Sequence, residues 1–240
     1  MRLLVDLISC QAGSKNRGIG RYSLELTKAM IRTRSTHELL CMANANLASA
    51  FEDLRKILIK DLPAGYFQPY YHATGLVDEL DQKQIASPLI HQSRQAAMPD
   101  AVLTTSIFEG FRDPNFVVPQ PYGNNTGYKE IVILYDLIPY IYQEQYLDPD
   151  PDKKEWYLNT VTSLNHFDLL LTISESTRQD AIQLLDIHPE KAVNISGAVS
   201  RHFQNIHLTK MEERKFLQRM GINRPFVFYL GGNDYRKNMI

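Results

Sequence analysis

Arg17-Gly18-Ile19-Gly20-Arg21-Tyr22-Ser23 follows a polar loop and opens a stretch of helical apolar periodicity. Glycines at a strand-to-helix turn let backbone N–H groups approach a phosphate or sugar oxygen, and the helix dipole favours an anion there. The same glycines would also suit a tight turn with close helix packing and no ligand; Arg17 and Arg21 beside the turn favour the ligand. The dinucleotide fingerprint is incomplete. Ser23 stands at the third glycine position, and Met42-Ala-Asn-Ala-Asn46 supplies no acid for a ribose.

Acids at strand ends are the next candidates. Asp136 closes the apolar run Ile131-Val-Ile-Leu-Tyr135, where an ionised carboxylate needs a partner or ligand hydroxyls. Backbone amides of the turn before Pro139 are the competing partner. Glu109, in Ser106-Ile-Phe-Glu109-Gly110, is expected at the same edge, with a solvated loop acid as its ordinary alternative. Ser174 reads first as a helix N-cap and second as a sugar or phosphate contact. Asp148-Pro-Asp150-Pro-Asp152 holds overlapping DxD patterns, but Asp150 before Pro151 is a well-formed helix start, so no metal is expected there. Tyr66, Tyr70 and Tyr71 could form a sugar-stacking wall, with core or surface packing the simpler expectation. No GxSxG elbow, Walker A loop or HExxH is present, and the seven histidines show no metal-ligand spacing.

Composition narrows the class. With 240 residues and 44% hydrophobic content, an ordinary buried core is expected, and 26 basic against 27 acidic residues give no field to recruit nucleic acid. Cys10 and Cys41 form neither a disulfide framework nor a CxxC pair. The most apolar run, Ile131 to Tyr142, is broken by Asp136 and Pro139 and falls short of the roughly 20 residues a spanning helix needs. The amino terminus suits a first strand better than a signal peptide, so cytoplasm is the expected compartment, with peripheral docking on the inner membrane compatible with it.

Buried strands are predicted at Leu3–Ile8, Glu38–Met42, Ala101–Thr105, Ile131–Tyr135, Asp168–Ile173 and Ala192–Ile195. Helices are predicted between them, the first with Ile19, Tyr22, Leu26, Ala29 and Met30 on one face, the others at Ala48–Ile59, Asp78–Ala97, Pro151–His166, Glu175–Leu185 and Thr209–Met220. This alternation implies an α/β fold with a mainly parallel, Rossmann-like sheet covered on both faces and ligands at the carboxyl ends of its strands. Thr104 to Gly127 reads as a mobile loop. Residues 1–222 are expected to form one domain, and Pro225 to Leu230, followed by glycines, reads as the first strand of another beginning at 223.

Taken together, Arg17-Gly-Ile-Gly-Arg-Tyr22, Ile107-Phe-Glu-Gly110, Tyr135-Asp-Leu-Ile-Pro139, Asp168 to Arg178, Ala192-Val-Asn-Ile-Ser196 and Leu230 to Asn238 resemble the bacterial glycosyltransferases of family 4. These are retaining enzymes of the two-domain GT-B architecture. The resemblance implies an amino-terminal acceptor-binding domain and the start of a truncated donor domain, together lacking activity as a separate piece. It implies transfer of a hexose or deoxyhexose from a nucleotide sugar to a glycan or lipid-linked acceptor of a surface polysaccharide or lipopolysaccharide, without metal or cofactor. It places Gly18 and Gly20 near the donor phosphates, Arg236 and Lys237 as the basic pair on the leaving diphosphate, and Asp136 beside the reacting sugar. Arg17, Arg21, Glu109, Tyr135 and Ser174 are then expected to line the acceptor or sugar site. Tyr135 departs from the family, which commonly shows histidine there. Pairing of two chains through the face that would meet the second domain is a further expectation. The competing readings are a non-catalytic glycan- or partner-binding Rossmann-like module and another nucleotide-dependent α/β enzyme.

Overall fold

Apolar runs such as Leu39–Ala43 and Ile131–Leu134 have no polar face to give to water, so the strands they form must be covered on both sides. The computed structural model, which describes residues 1–72, 79–113, 116–119, 121, 126–200, 203–231 and 234–237 (79–84 and 236 as backbone only), meets this demand. Strands β1 (Arg2–Asp6), β2 (Glu38–Asn44), β3 (Phe67–Tyr70), β4 (Ala101–Thr104), β5 (Lys129–Leu134), β6 (Leu169–Thr172) and β7 (Ala192–Asn194) form one parallel sheet. Its order is β3-β2-β1-β4-β5-β6-β7, and the register sets Val5 opposite Cys41 on one side and Leu103 on the other.

Alternate residues feed opposite layers. Val5, Cys41, Leu103 and Ile133 pack with Ile31 of α1 (Gly18–Thr33) and with Leu54 and Leu58 of α2 (Ala48–Leu58). On the other face Leu4, Met42 and Val102 meet Ala86 and Ile90 of α3 (Glu79–Ala96), while Val132, Leu134 and Leu170 meet Tyr157 and Val161 of α6 (Pro151–Ser163). Two short helices, α4 (Ile138–Ile141) and α5 (Gln143–Tyr146), fill the connection after β5, and α7 (Glu175–Leu185) precedes β7.

Met1–Gly197 form one compact unit and Ala198–Ile240 a second. In the second unit, α8 (Lys210–Arg219) starts from a capping box in which Thr209 and Glu212 satisfy each other's backbone N–H groups.

Three expectations need correction. Pro225 to Leu230 forms no strand; it pairs with no other strand among the described residues, and Val227, Phe228 and Leu230 are exposed. An apolar run becomes a strand only when a neighbour takes its backbone hydrogen bonds. The edge strand β3 is absent from the predicted set, because Pro69 and a four-residue length hide it, yet an edge tolerates a proline that a central strand would not. The buried stripe of α1 is Gly20, Ser23, Thr27 and Ile31 rather than the larger apolar residues, of which Tyr22, Leu26 and Met30 are partly buried flanks. Small residues let the helix approach the sheet, and the Ser23 and Thr27 hydroxyls donate to the carbonyls of Ile19 (2.9 Å) and Ser23 (2.8 Å). Of the Thr104 to Gly127 loop, 114–115, 120 and 122–125 lie outside the described residues; Phe116 and Val117 are buried.

Candidate functional site

From β1 the chain runs on to β2 and from β4 to β5, on opposite sides of this central pair, so the carboxyl ends of β1 and β4 are the switch point at which an open α/β sheet offers a crevice. Its floor is ionic. Arg94 of α3 reaches Asp6 Oδ2 at 2.8 Å and Thr104 Oγ1 at 3.3 Å, tying together the last residues of the two strands, with Glu130 Oε1 at 3.8 Å. Asp6 Oδ1 accepts the Ile8 N–H at 3.2 Å, which starts the short 3-10 turn Ile8–Cys10.

Above the floor runs a row of hydroxyls. Thr105 Oγ1 donates to the Asp6 carbonyl (2.8 Å), Ser9 Oγ lies 2.8 Å from both Thr105 Oγ1 and Ser23 Oγ, and Ser23 Oγ lies 2.6 Å from the Tyr135 hydroxyl. Each hydroxyl has one proton; Thr105 and Ser23 spend theirs on the Asp6 and Ile19 carbonyls, so both can only accept from Ser9, which donates to one of them at a time. The row links the loops after β1 and β4 to α1 and to the end of β5. The position that broke the glycine fingerprint, Ser23, is one of its two middle members, with Ser9. Tyr135, where the resemblance expects histidine, also reaches the Ile19 carbonyl at 3.3 Å and meets Tyr22 edge-on at 5.8 Å. Burial raises its pKa further above the ordinary phenol value.

Glu109 is not a solvated loop acid. It is 7% exposed; Oε2 accepts from Ser14 Oγ at 3.1 Å, and Oε1 is buried with no hydrogen-bond partner. Burial pushes its pKa up to about 7, while the nearby Ser14 and Ser106 hydroxyls pull the other way. Perturbed proton affinities cluster at functional sites, which makes Glu109 a candidate beside its geometry. Cys10, also lining this region, is held as a thiol by burial, which pushes it to about 12, and Cys41 likewise.

The glycine turn divides its labour. A Cβ on Gly20 would lie 2.5 Å from Lys15 Cα and from the Ser14 carbonyl oxygen, so this glycine lets the Ser14–Lys15 backbone cross the first turn of α1. The Gly20 N–H is used there, donating to Ser14 O at 3.2 Å. Gly18 is open, with nothing within 4 Å of the place a Cβ would take, and α1 has no side-chain cap and no acid in its first turn. Arg17 and Arg21 are exposed and make no ion pair among the described residues.

On the β5 side, Asp136 Oδ1 accepts the Ile138 N–H at 3.1 Å, the turn role that competed with a ligand role. Tyr157 is raised by burial and then by the Asp136 charge. Ser174 caps α7 through Thr177 N (3.1 Å), and Thr177 Oγ1 donates to the Tyr135 carbonyl at 3.0 Å, so Ser174 enters the site indirectly. Asp150 caps α6 through Lys153 N, while Arg112 holds Asp150 and Asp152 at 3.0 and 3.1 Å and Lys154 holds Asp148 at 2.7 Å. Tyr70 is buried, Tyr66 packs against the core and Tyr71 is exposed, so the three form no wall. Among the described residues no group of three or more His, Cys, Asp or Glu could hold a metal ion, and no helix is long and apolar enough to cross a membrane.

Gly18 thus stays open at the start of α1, while the fold brings Gly20, Glu109 and Tyr135 together with Ser9, Ser14, Ser23 and Thr105, hydroxyl residues that the sequence did not mark for the site. Their one legible signal is that each hydroxyl belongs to a segment bordering the carboxyl end of β1 or β4. Lys237 is exposed in a 3-10 turn, Tyr235–Lys237, of the second unit; the Arg236 side chain lies outside the described residues.

No protein-family model matches the sequence. Over an alignment of 247 positions the chain is 28% identical to the serotype-specific mannosyltransferase WbdA of Escherichia coli, covering 100% of this chain and 29% of that protein. A second E. coli WbdA is 31% identical over 141 residues, 59% of this chain and 17% of its own length. The chain therefore spans less than a third of the curated relatives it matches. Among solved structures, Anabaena Alr3699/HepE in complex with UDP and glucose superposes with a TM-score of 0.50 at 14% identity, over 92% of this chain and 50% of that one. This is a likeness of fold, and the fold is the Rossmann-like α/β arrangement of a GT-B half.

Proposed function

We propose that the chain is the acceptor-side domain of a retaining glycosyltransferase that moves a hexose, mannose being the first to test, from a nucleotide sugar to a growing surface polysaccharide. The observation that carries this reading is Glu109, a buried acid with a bare oxygen at the β1/β4 crevice beside the uncapped start of α1. Similarity to a mannosyltransferase along the whole chain supports the sugar.

In this reading the acceptor lies against Glu109, Tyr135 and Asp136, and the open backbone at Gly18 faces the donor phosphates. Metal independence has support in the aspartates themselves: Asp148, Asp150 and Asp152 are already engaged by Lys154, the α6 amino terminus and Arg112. The attacking hydroxyl's proton goes to the departing diphosphate, which needs no enzymic nucleophile.

The test is genetic and chemical. Deleting the gene in its host removes a hexose from the surface polysaccharide, and a copy carrying Glu109→Ala fails to restore it. A polysaccharide of unchanged composition and linkage after deletion overturns the reading.

A further inference from the structure

We propose that Glu109 works as a neutral carboxylic acid, donating a hydrogen bond through Oε1 to one hydroxyl of the bound sugar. The inference rests on the glycosyltransferase reading for the identity of the ligand, and on geometry for the state of the acid.

Four observations converge. Glu109 is 7% exposed, and no Lys, Arg or His forms an ion pair with it among the described residues. A charge in such surroundings is costly, and the group relieves that cost by keeping its proton. The neighbouring groups that bear on it are neutral: the Cys10 thiol, held protonated by burial, the Tyr135 phenol, and the Ser14 and Ser106 hydroxyls. Its carboxyl oxygens are also unequal. Oε2 is taken by Ser14 Oγ at 3.1 Å, which leaves Oε1 as the one that is buried, bare and available to carry the proton. A protonated carboxyl offers one O–H donor besides its acceptor capacity, which matches a sugar hydroxyl, itself donor and acceptor. Next to a phosphate the same residue would either face anion with anion or need a cation that no ion pair supplies. The raised proton affinity of Glu109, to about 7, agrees with this arrangement.

The experiment follows the Glu109 side-chain carboxyl by carbon-13 NMR in the 240-residue chain, the resonance being the one missing in Glu109→Gln. Titrated from about pH 4 to about pH 9, it should change near pH 7 rather than in the ordinary carboxylate range, and added methyl α-mannoside should move that midpoint upward. Glu109→Gln, which mimics the neutral acid, should keep mannoside affinity within about threefold, while Glu109→Ala should lose about tenfold, the worth of one hydrogen bond to a buried partner. A midpoint in the ordinary range overturns the inference. So does a downward shift with mannoside, no response to mannoside, a response to inorganic pyrophosphate instead, or loss of binding in the Gln variant. Failure of the transferase reading would look different: the titration and mannoside response would hold, while the host polysaccharide would be unchanged on gene deletion.

Discussion

Arg94 Nη2 lies 2.8 Å from Asp6 Oδ2 with both side chains 1% exposed, so the centre of the sheet is closed by an ion pair rather than by packing alone. Removing one partner leaves a buried charge uncompensated, which costs about 3–5 kcal/mol. Arg94→Ala is therefore expected to lower unfolding free energy by that amount in urea. A loss under about 1 kcal/mol would mean that the pair contributes no more than a surface one.

Glu109 gives the fold a pH dependence of definite sign. Its proton affinity rises from the ordinary 4.5 to about 7, so between those values the folded chain keeps a proton that the unfolded chain has released. The folded state binding more protons means that stability falls as pH rises through this window, with the loss complete above about pH 7. A shift of this size corresponds to about 3 kcal/mol. Glu109→Gln should match the parent chain near pH 4 and exceed it in stability by up to about 3 kcal/mol near pH 8. Parallel stability curves for the two chains would contradict this.

The two glycines of the turn should respond oppositely to the same methyl group. Gly20→Ala drives a Cβ to 2.5 Å from backbone atoms of Ser14 and Lys15, and backbone cannot step aside as a flexible side chain can. A cost of about 1–3 kcal/mol is expected. Gly18→Ala meets nothing within 4 Å and should change stability by no more than about 0.5 kcal/mol. Thermal or urea unfolding of the pair checks the contrast, and equal effects would refute it.

Within the hydroxyl row, the middle should matter more than the end. Tyr135→Phe removes one hydroxyl from Ser23, which still reaches the Ile19 carbonyl, and should cost about 1 kcal/mol. Ser23→Ala removes a hydrogen-bond partner from both the fully buried Ser9 and Tyr135, and should cost more, about 1–3 kcal/mol. Calorimetry that ranks Tyr135→Phe as the worse change would show that the row is not organised around Ser23.

The sheet is legible in the sequence because its central strands must be apolar on both faces, and runs such as Leu39–Ala43 can do little else. Helix starts are legible where a side chain caps them, as at Asp150 and Ser174. What stays hidden depends on contacts far apart in sequence. Nothing local distinguishes Glu109 from a loop acid; its burial comes with Ser14, 95 residues away. Ser9, Ser23 and Tyr135 meet only because β1, α1 and β5 converge on one edge. The stripe of α1 is hidden for a related reason: periodicity weighs hydrophobicity, whereas close packing against a sheet selects for small size, as at Gly20 and Ser23. The run from Pro225 to Leu230 has strand composition without a neighbour to pair with among the described residues.

Placing β1 between β2 and β4 has a consequence in time. As the chain is synthesised, Arg2–Asp6 finds its first neighbour in Glu38–Met42, but its other side waits for Ala101–Thr104. At about 5–20 residues per second, the nascent protein carries an apolar strand with one bare edge for several seconds. That interval, rather than any weakness of the finished fold, is when this protein is most exposed to pairing with the wrong chain, and slowing translation before Ala101 should lower its soluble yield more than slowing it after Thr104.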